Sequence, residues 1–148
     1  MKRKKIILLG ILGFVLLGGL YAWKEYNRKV KDLSKTKAEM AMKASDLIGR
    51  FEQNEGQANS HFLDKIIAVS GTVKAIEKNH AGDVTVVLGE EEKMLSVRCS
   101  MDNRYLGALD KVTEGTAITM KGACTGFNRD DLLGSDVVLN RCVVQQVN

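Results

Sequence analysis

An uncharged, mostly apolar run from Ile6 to Trp23, eighteen residues, opens the hydropathy pattern of the chain. As a helix it would be about 27 Å long, close to the hydrocarbon thickness of a bilayer. Tyr21 and Trp23 stand at its far end, where amphipathic aromatics prefer the headgroup level. From Val30 the period changes. Val30, Leu33, Met40, Leu47 and Phe51, with Lys37 and Ala44 between them, recur at spacings of three and four, which predicts an amphipathic helix over 24–57 ending near Gly56. The same stripe over 30–51 offers a dimer seam, although Lys37 interrupts it.

Beyond residue 58 the period falls to two. "IIAVSGTVKAI" sets Ile67, Val69, Gly71, Val73 and Ala75 on one face, and "KMLSVRCSM" does so for Leu95, Val97, Cys99 and Met101. "DVTVVLG" lies between them, bounded by the turn signals "NHAG" and "GEEEK". "NRYLGALDKV" has helical spacing. "GTAITMKGACTGF" then aligns Ile118, Met120, Gly122 and Cys124, and "DVVLNRCVVQQV" is a last β-rich run. Three strands, a helix and two strands follow the order of the OB-fold, a Greek-key barrel of five strands with a helix between the third and fourth. The expected fold class is therefore mainly β: an OB barrel over 58–148, preceded by a transmembrane helix and an amphipathic helix. Gly71 falls where a long first strand has to bend.

Charge sharpens the division. Residues 1–31 carry eight Lys and Arg against Glu25 alone, whereas 32–148 carry fourteen against seventeen Asp and Glu. The basic balance thus belongs to the tail 1–5 and the flanks of the apolar run. The acidic remainder lacks the clustered cations of a broad phosphate-binding surface. No small-x-small pair suits a signal cleavage site, because Ala22 is preceded at two positions by Leu20. The favoured reading is an uncleaved anchor over 6–23, with the tail in the cytoplasm and the C-terminal domain outside, in a single-pass inner- or plasma-membrane protein.

The segments "SGTVKAIEK", "LSVRCSMD", "EGTAITMKGACTGF" and "DVVLNRCVV" together resemble the tRNA-anticodon-like OB-fold family, small bacterial domains that often follow a signal or anchor. The resemblance spans about 40–147 and implies the same barrel. It leaves the ligand open.

Cys124 and Cys142 have four readings. A zinc site needs about four ligands at paired spacings, which three scattered cysteines, His61 and His80 do not offer. A catalytic thiol needs an exposed, electropositive setting with a base. What remains is a Cys124–Cys142 disulfide across a symmetric last hairpin, or buried thiols, with Cys99 a core residue in either case. No cofactor motif or catalytic pairing is present, so the expected activity is binding. OB barrels bind on the face of their second and third strands, which here presents Lys74, Thr85, Ser96 and Arg98. Phe127 beside Arg129 is the one aromatic–cation neighbourhood in the adjoining loops. The preferred partner is a protein, peptide or glycan. A single-stranded nucleic acid and a structural envelope-assembly role are the alternatives.

Overall fold

The computed structural model describes residues 17–23, 32–90, 92–130 and 134–147. The chain divides into two units, Met1–Lys31 and Asp32–Asn148. In the first, residues 17–23 are helical and expose Leu17, Leu20, Tyr21 and Trp23. The basic tail 1–5, most of the expected anchor (6–16) and the flank 24–31 lie outside the described residues. Among the described residues no helix is long and apolar enough to cross a membrane.

Among the described residues, the buried core runs from Leu33 to Val143, within the second unit. That unit opens on a turn in which Asp32 accepts from the Ser34 amide at 2.9 Å and the Thr36 amide returns to the Leu33 carbonyl at 3.1 Å. The Tyr105 hydroxyl donates to the other Asp32 oxygen at 2.7 Å. These bonds, Tyr105 first and Ser34 next, lower the Asp32 pKa from the usual carboxylate range to about 2. A carboxylate depressed in the folded state contributes stability above its ordinary pKa and loses it as pH falls through its folded value. Between pH 4 and pH 2 the melting midpoint of the natural protein should therefore fall more steeply than that of Asp32→Asn. Equal slopes would disprove the linkage.

The next segment departs from the sequence expectation. Met40–Lys43 is a strand, β1, parallel to β2 (Ile66–Lys78). Helix α1 begins only at Ala44 and runs to Gln53; extended backbone at Asn54 separates it from α2 (Glu55–Phe62). Gly56 therefore lies inside a helix rather than ending one, and the Asn54 side chain caps α2 by accepting from the Gln57 amide at 3.0 Å. Ala44, Leu47, Ile48 and Phe51 form the buried stripe of α1. Leu47 and Phe51 belong to the same core as the barrel. Of the stripe expected to offer a dimer seam, Leu33, Ala44, Leu47 and Phe51 are buried within the chain, Lys37 is exposed and Val30 lies outside the described residues; the compact unit that holds the barrel begins at Asp32.

The barrel consists of β2, β3 (Val84–Leu88), β4 (Leu95–Met101), β5 (Ala117–Asn128) and β6 (Ser135–Val147). Pairing runs β2–β3–β4–β6–β5 and closes from β5 to β2, with β4 and β6 parallel. This is the OB order. The element between β4 and β5 is a 3-10 helix, Asn103–Leu109, kinked at Tyr105, with Asp102 accepting from the Arg104 amide at 3.1 Å. Strand β2 changes partner along one edge, from β1 up to Ser70 to β3 from Val73. Gly71 lies at that junction, where a Cβ would stand 3.1 Å from the Ala44 Cβ and 3.3 Å from the Leu88 Cβ. A bulge follows between Val73 and Ala75, so Ile76, not Ala75, packs on the core.

The expected disulfide is corrected by the last hairpin. Strands β5 and β6 slip register three times, and Cys124 stands opposite Leu139, three positions from Cys142. All three cysteines are free and buried. Cys142 lies beside Cys99 instead, and its thiol donates to the Leu139 carbonyl at 3.4 Å. Burial, with Cys99 adding to it, pushes the Cys142 thiol well up, and burial raises Cys124 as well. Thiols so raised are protonated at neutral pH and are poor nucleophiles.

Candidate functional site

The outer face of β3 and β4 forms a hollow of about 350 Å³ that brings Lys74, Ser96 and Arg98 together with Glu77, Asp136 and Met94. Lys74 occupies the bulge of β2, and its ammonium donates to the Lys93 carbonyl at 2.6 Å. Arg98 lies between two acids. It forms a bidentate pair with Glu77, one of whose bonds is 3.2 Å, and its Nε is 3.9 Å from Asp136. The Glu77 carboxylate holds the Arg98 pKa above its ordinary value. The Ser96 hydroxyl donates to Asp136, its neighbour across the parallel β4–β6 ladder. Thr85 and Ser100 hydroxyls are 3.5 Å apart on the same sheet. Glu77, Glu92 and Asp136 balance Lys74, Lys93 and Arg98 in the lining of this face, although Lys74 itself is bound to a carbonyl, which leaves little net field to attract a polyanion.

Phe127 and Arg129 stand apart from that hollow. The Phe127 ring stacks on buried Phe51 with centroids 5.4 Å apart and planes 21° apart, and the Arg129 guanidinium lies 5.8 Å from the Phe127 centroid. Phe127 therefore works as a half-buried core ring. The other aromatics of 32–148 are Phe51, Phe62 and Tyr105, none of which lines the β3–β4 face. Single-strand binders rely on exposed rings on which bases stack.

A second hollow, missed in the sequence, lies on the other side of the β3–β4 turn. It measures about 460 Å³ and is walled by Ala44, Ile48, Gly71, Leu95 and Ile118, with Lys43, Glu52 and Lys93 also lining it. Lys93 lines both hollows, and its neighbour Met94, in the wall of the first, is 66% exposed. Its place after the acidic run "GEEEK" was the available signal: one large apolar side chain in a polar turn. The cleft had no such signal, since its walls come from four separated segments.

His61 packs edge-on against Phe62 at 4.8 Å, and His80 is exposed in the β2–β3 turn. Among the described residues no three His, Cys, Asp or Glu side chains are grouped to hold a metal ion.

The tRNA_anti-like family model matches residues 1–143. No curated protein matches the chain. Among solved structures it is similar to a proposed nucleic acid-binding lipoprotein from Klebsiella pneumoniae subsp. pneumoniae, with a TM-score of 0.55, 16% identity, and coverage of 80% of this chain and 100% of that one. At that identity the likeness shows the fold. Two aspartyl-tRNA synthetase structures align more loosely. The one from Leishmania major Friedlin gives a TM-score of 0.47 at 8% identity over 88% of this chain, and the one from Entamoeba histolytica gives 0.45 at 8% over 82%. This chain spans 26% and 24% of their lengths.

Proposed function

The chain belongs to the tRNA_anti-like family, and from that membership we propose that it is a membrane-attached OB-fold module that binds a protein or peptide and catalyses no reaction. One observation carries the choice of partner: the face on which OB barrels bind is balanced in charge and free of aromatic platforms, and it adjoins an apolar cleft through Lys93, next to exposed Met94. Apolar clefts with polar rims suit the side chains of a protein better than the backbone of a polyanion or a glycan. Attachment rests on the apolar run 6–23 with its basic tail, and the Klebsiella neighbour is itself a lipoprotein.

The second reading is a single-stranded nucleic acid. It is favoured by the fold and by the binding proposed for that same neighbour. One experiment separates the two. A photoreactive amino acid replaces Met94 in the full chain, and cells are irradiated. The expected product is a discrete adduct that nuclease leaves intact and whose digest yields peptides of a second polypeptide joined at position 94. A nuclease-sensitive adduct would defeat the protein reading in favour of nucleic acid.

A further inference from the structure

Lys121 projects from the outer face of β5, where alternation with Met120 and Gly122 predicts solvent, yet it is only 4% exposed. The turn that opens the domain covers it. Its ammonium donates to the carbonyl of Ser34 at 3.2 Å and to that of Thr36 at 2.8 Å. An ammonium has three donors, so one is left over. Among the described residues no carboxylate pairs with it, although a buried charge is costly unless a counter-charge compensates it.

The space beside it is large enough to supply one. A hollow of about 280 Å³ is lined by Ser34, Tyr105, Lys121 and Gln145 together with Ala108 and the valines of β6, and no acidic residue is among them. Asp32, an acid of the adjoining turn, has both oxygens engaged, by the Ser34 amide and the Tyr105 hydroxyl. The Ser34 hydroxyl, 2.8 Å from the Tyr105 oxygen, can turn to an incoming acceptor and exchange a neutral hydrogen bond for a charge-assisted one.

We propose that this hollow binds a small oxyanion group, held by the free donor of Lys121, the Ser34 hydroxyl and the Gln145 amide. It is independent of the β3–β4 face and goes beyond the partner proposed for that face. The occupant is either a free ion or the anionic end of a larger molecule. In both cases the turn 32–36 is clamped more firmly, because the ammonium that binds the anion also holds its two carbonyls.

The test is the melting midpoint of the full-length chain in neutral detergent, titrated with sodium phosphate against sodium chloride at constant ionic strength. Phosphate should give a saturating rise of about 4 °C over chloride. A response to phosphate alone identifies a free ion, and an equal response to glycerol 3-phosphate identifies the end of a larger molecule; both support the site. Ser34→Ala and Gln145→Ala should each weaken the apparent affinity several-fold while folding normally, and Lys121→Met should abolish the response. If Lys121→Met does not fold, the two milder variants decide. Identical midpoints in phosphate and chloride, or Ser34→Ala and Gln145→Ala responding like the natural protein, would overturn the proposal.

Discussion

Phe51→Ala is expected to destabilise the protein by about 3–5 kcal/mol, the usual range for removing a fully buried phenylalanine. Phe51 is completely buried on α1, 5.9 Å from the Phe62 ring and stacked on Phe127. Its removal would leave three elements, α1, α2 and β5, around one cavity. Domains of this size are stable by only about 5–15 kcal/mol in all, so the variant should unfold at a markedly lower urea concentration. Phe127→Ala should cost less, because its ring is half-buried. A loss below about 1 kcal/mol for Phe51→Ala would mean that the helices contribute little to the core.

Gly122 gives the second large effect, together with a way to reverse it. A methyl group there would fall well inside van der Waals contact with the Cys142 sulfur, and 3.2 Å from both the Asn140 oxygen and the Leu139 Cβ. Overpacking of this kind typically costs about 1–3 kcal/mol. Cys142→Ala alone removes a buried sulfur and leaves a small cavity. Combined, the two changes are complementary: the new methyl occupies the space the sulfur vacates. The double variant Gly122→Ala/Cys142→Ala should therefore be more stable than the sum of the single losses by about 1 kcal/mol or more, a coupling that equilibrium denaturation of the four proteins measures directly. Strict additivity would show that Cys142 is not the obstacle at Gly122.

The barrel was legible in the sequence because alternation survives wherever one face of a strand is buried. Ile67, Val69 and Val73, then Val97, Cys99 and Met101, then Ile118 and Met120 all lie in the core, as their spacing requires. Three features escaped for physical reasons. Strand β1 is only four residues long, and Met40, one of its two methionines, falls on the helical stripe of the neighbouring segment, so the longer period masks the shorter. The pairing of Cys124 depended on a register that bulges reset. Lys121 obeys alternation, but its burial comes from a turn 85 residues away in sequence. The candidate face was half legible: Lys74, Ser96 and Arg98 line one hollow. The pairing of Arg98 with Glu77 and Asp136 arises only when strands from three parts of the chain align.

The parallel β4–β6 pairing has a consequence in time. Strand β6 hydrogen-bonds to both β4 and β5, so the segment that closes the barrel is the last of its strands to be synthesised. Until residues 135–147 emerge from the ribosome, β4 and β5 each keep an open edge, and the core between them cannot be sealed. Contacts so distant in sequence make closure slow, in the millisecond-to-second regime typical of β barrels. The nascent barrel is thus left with two exposed edges until its last strand arrives, and closure is a late event.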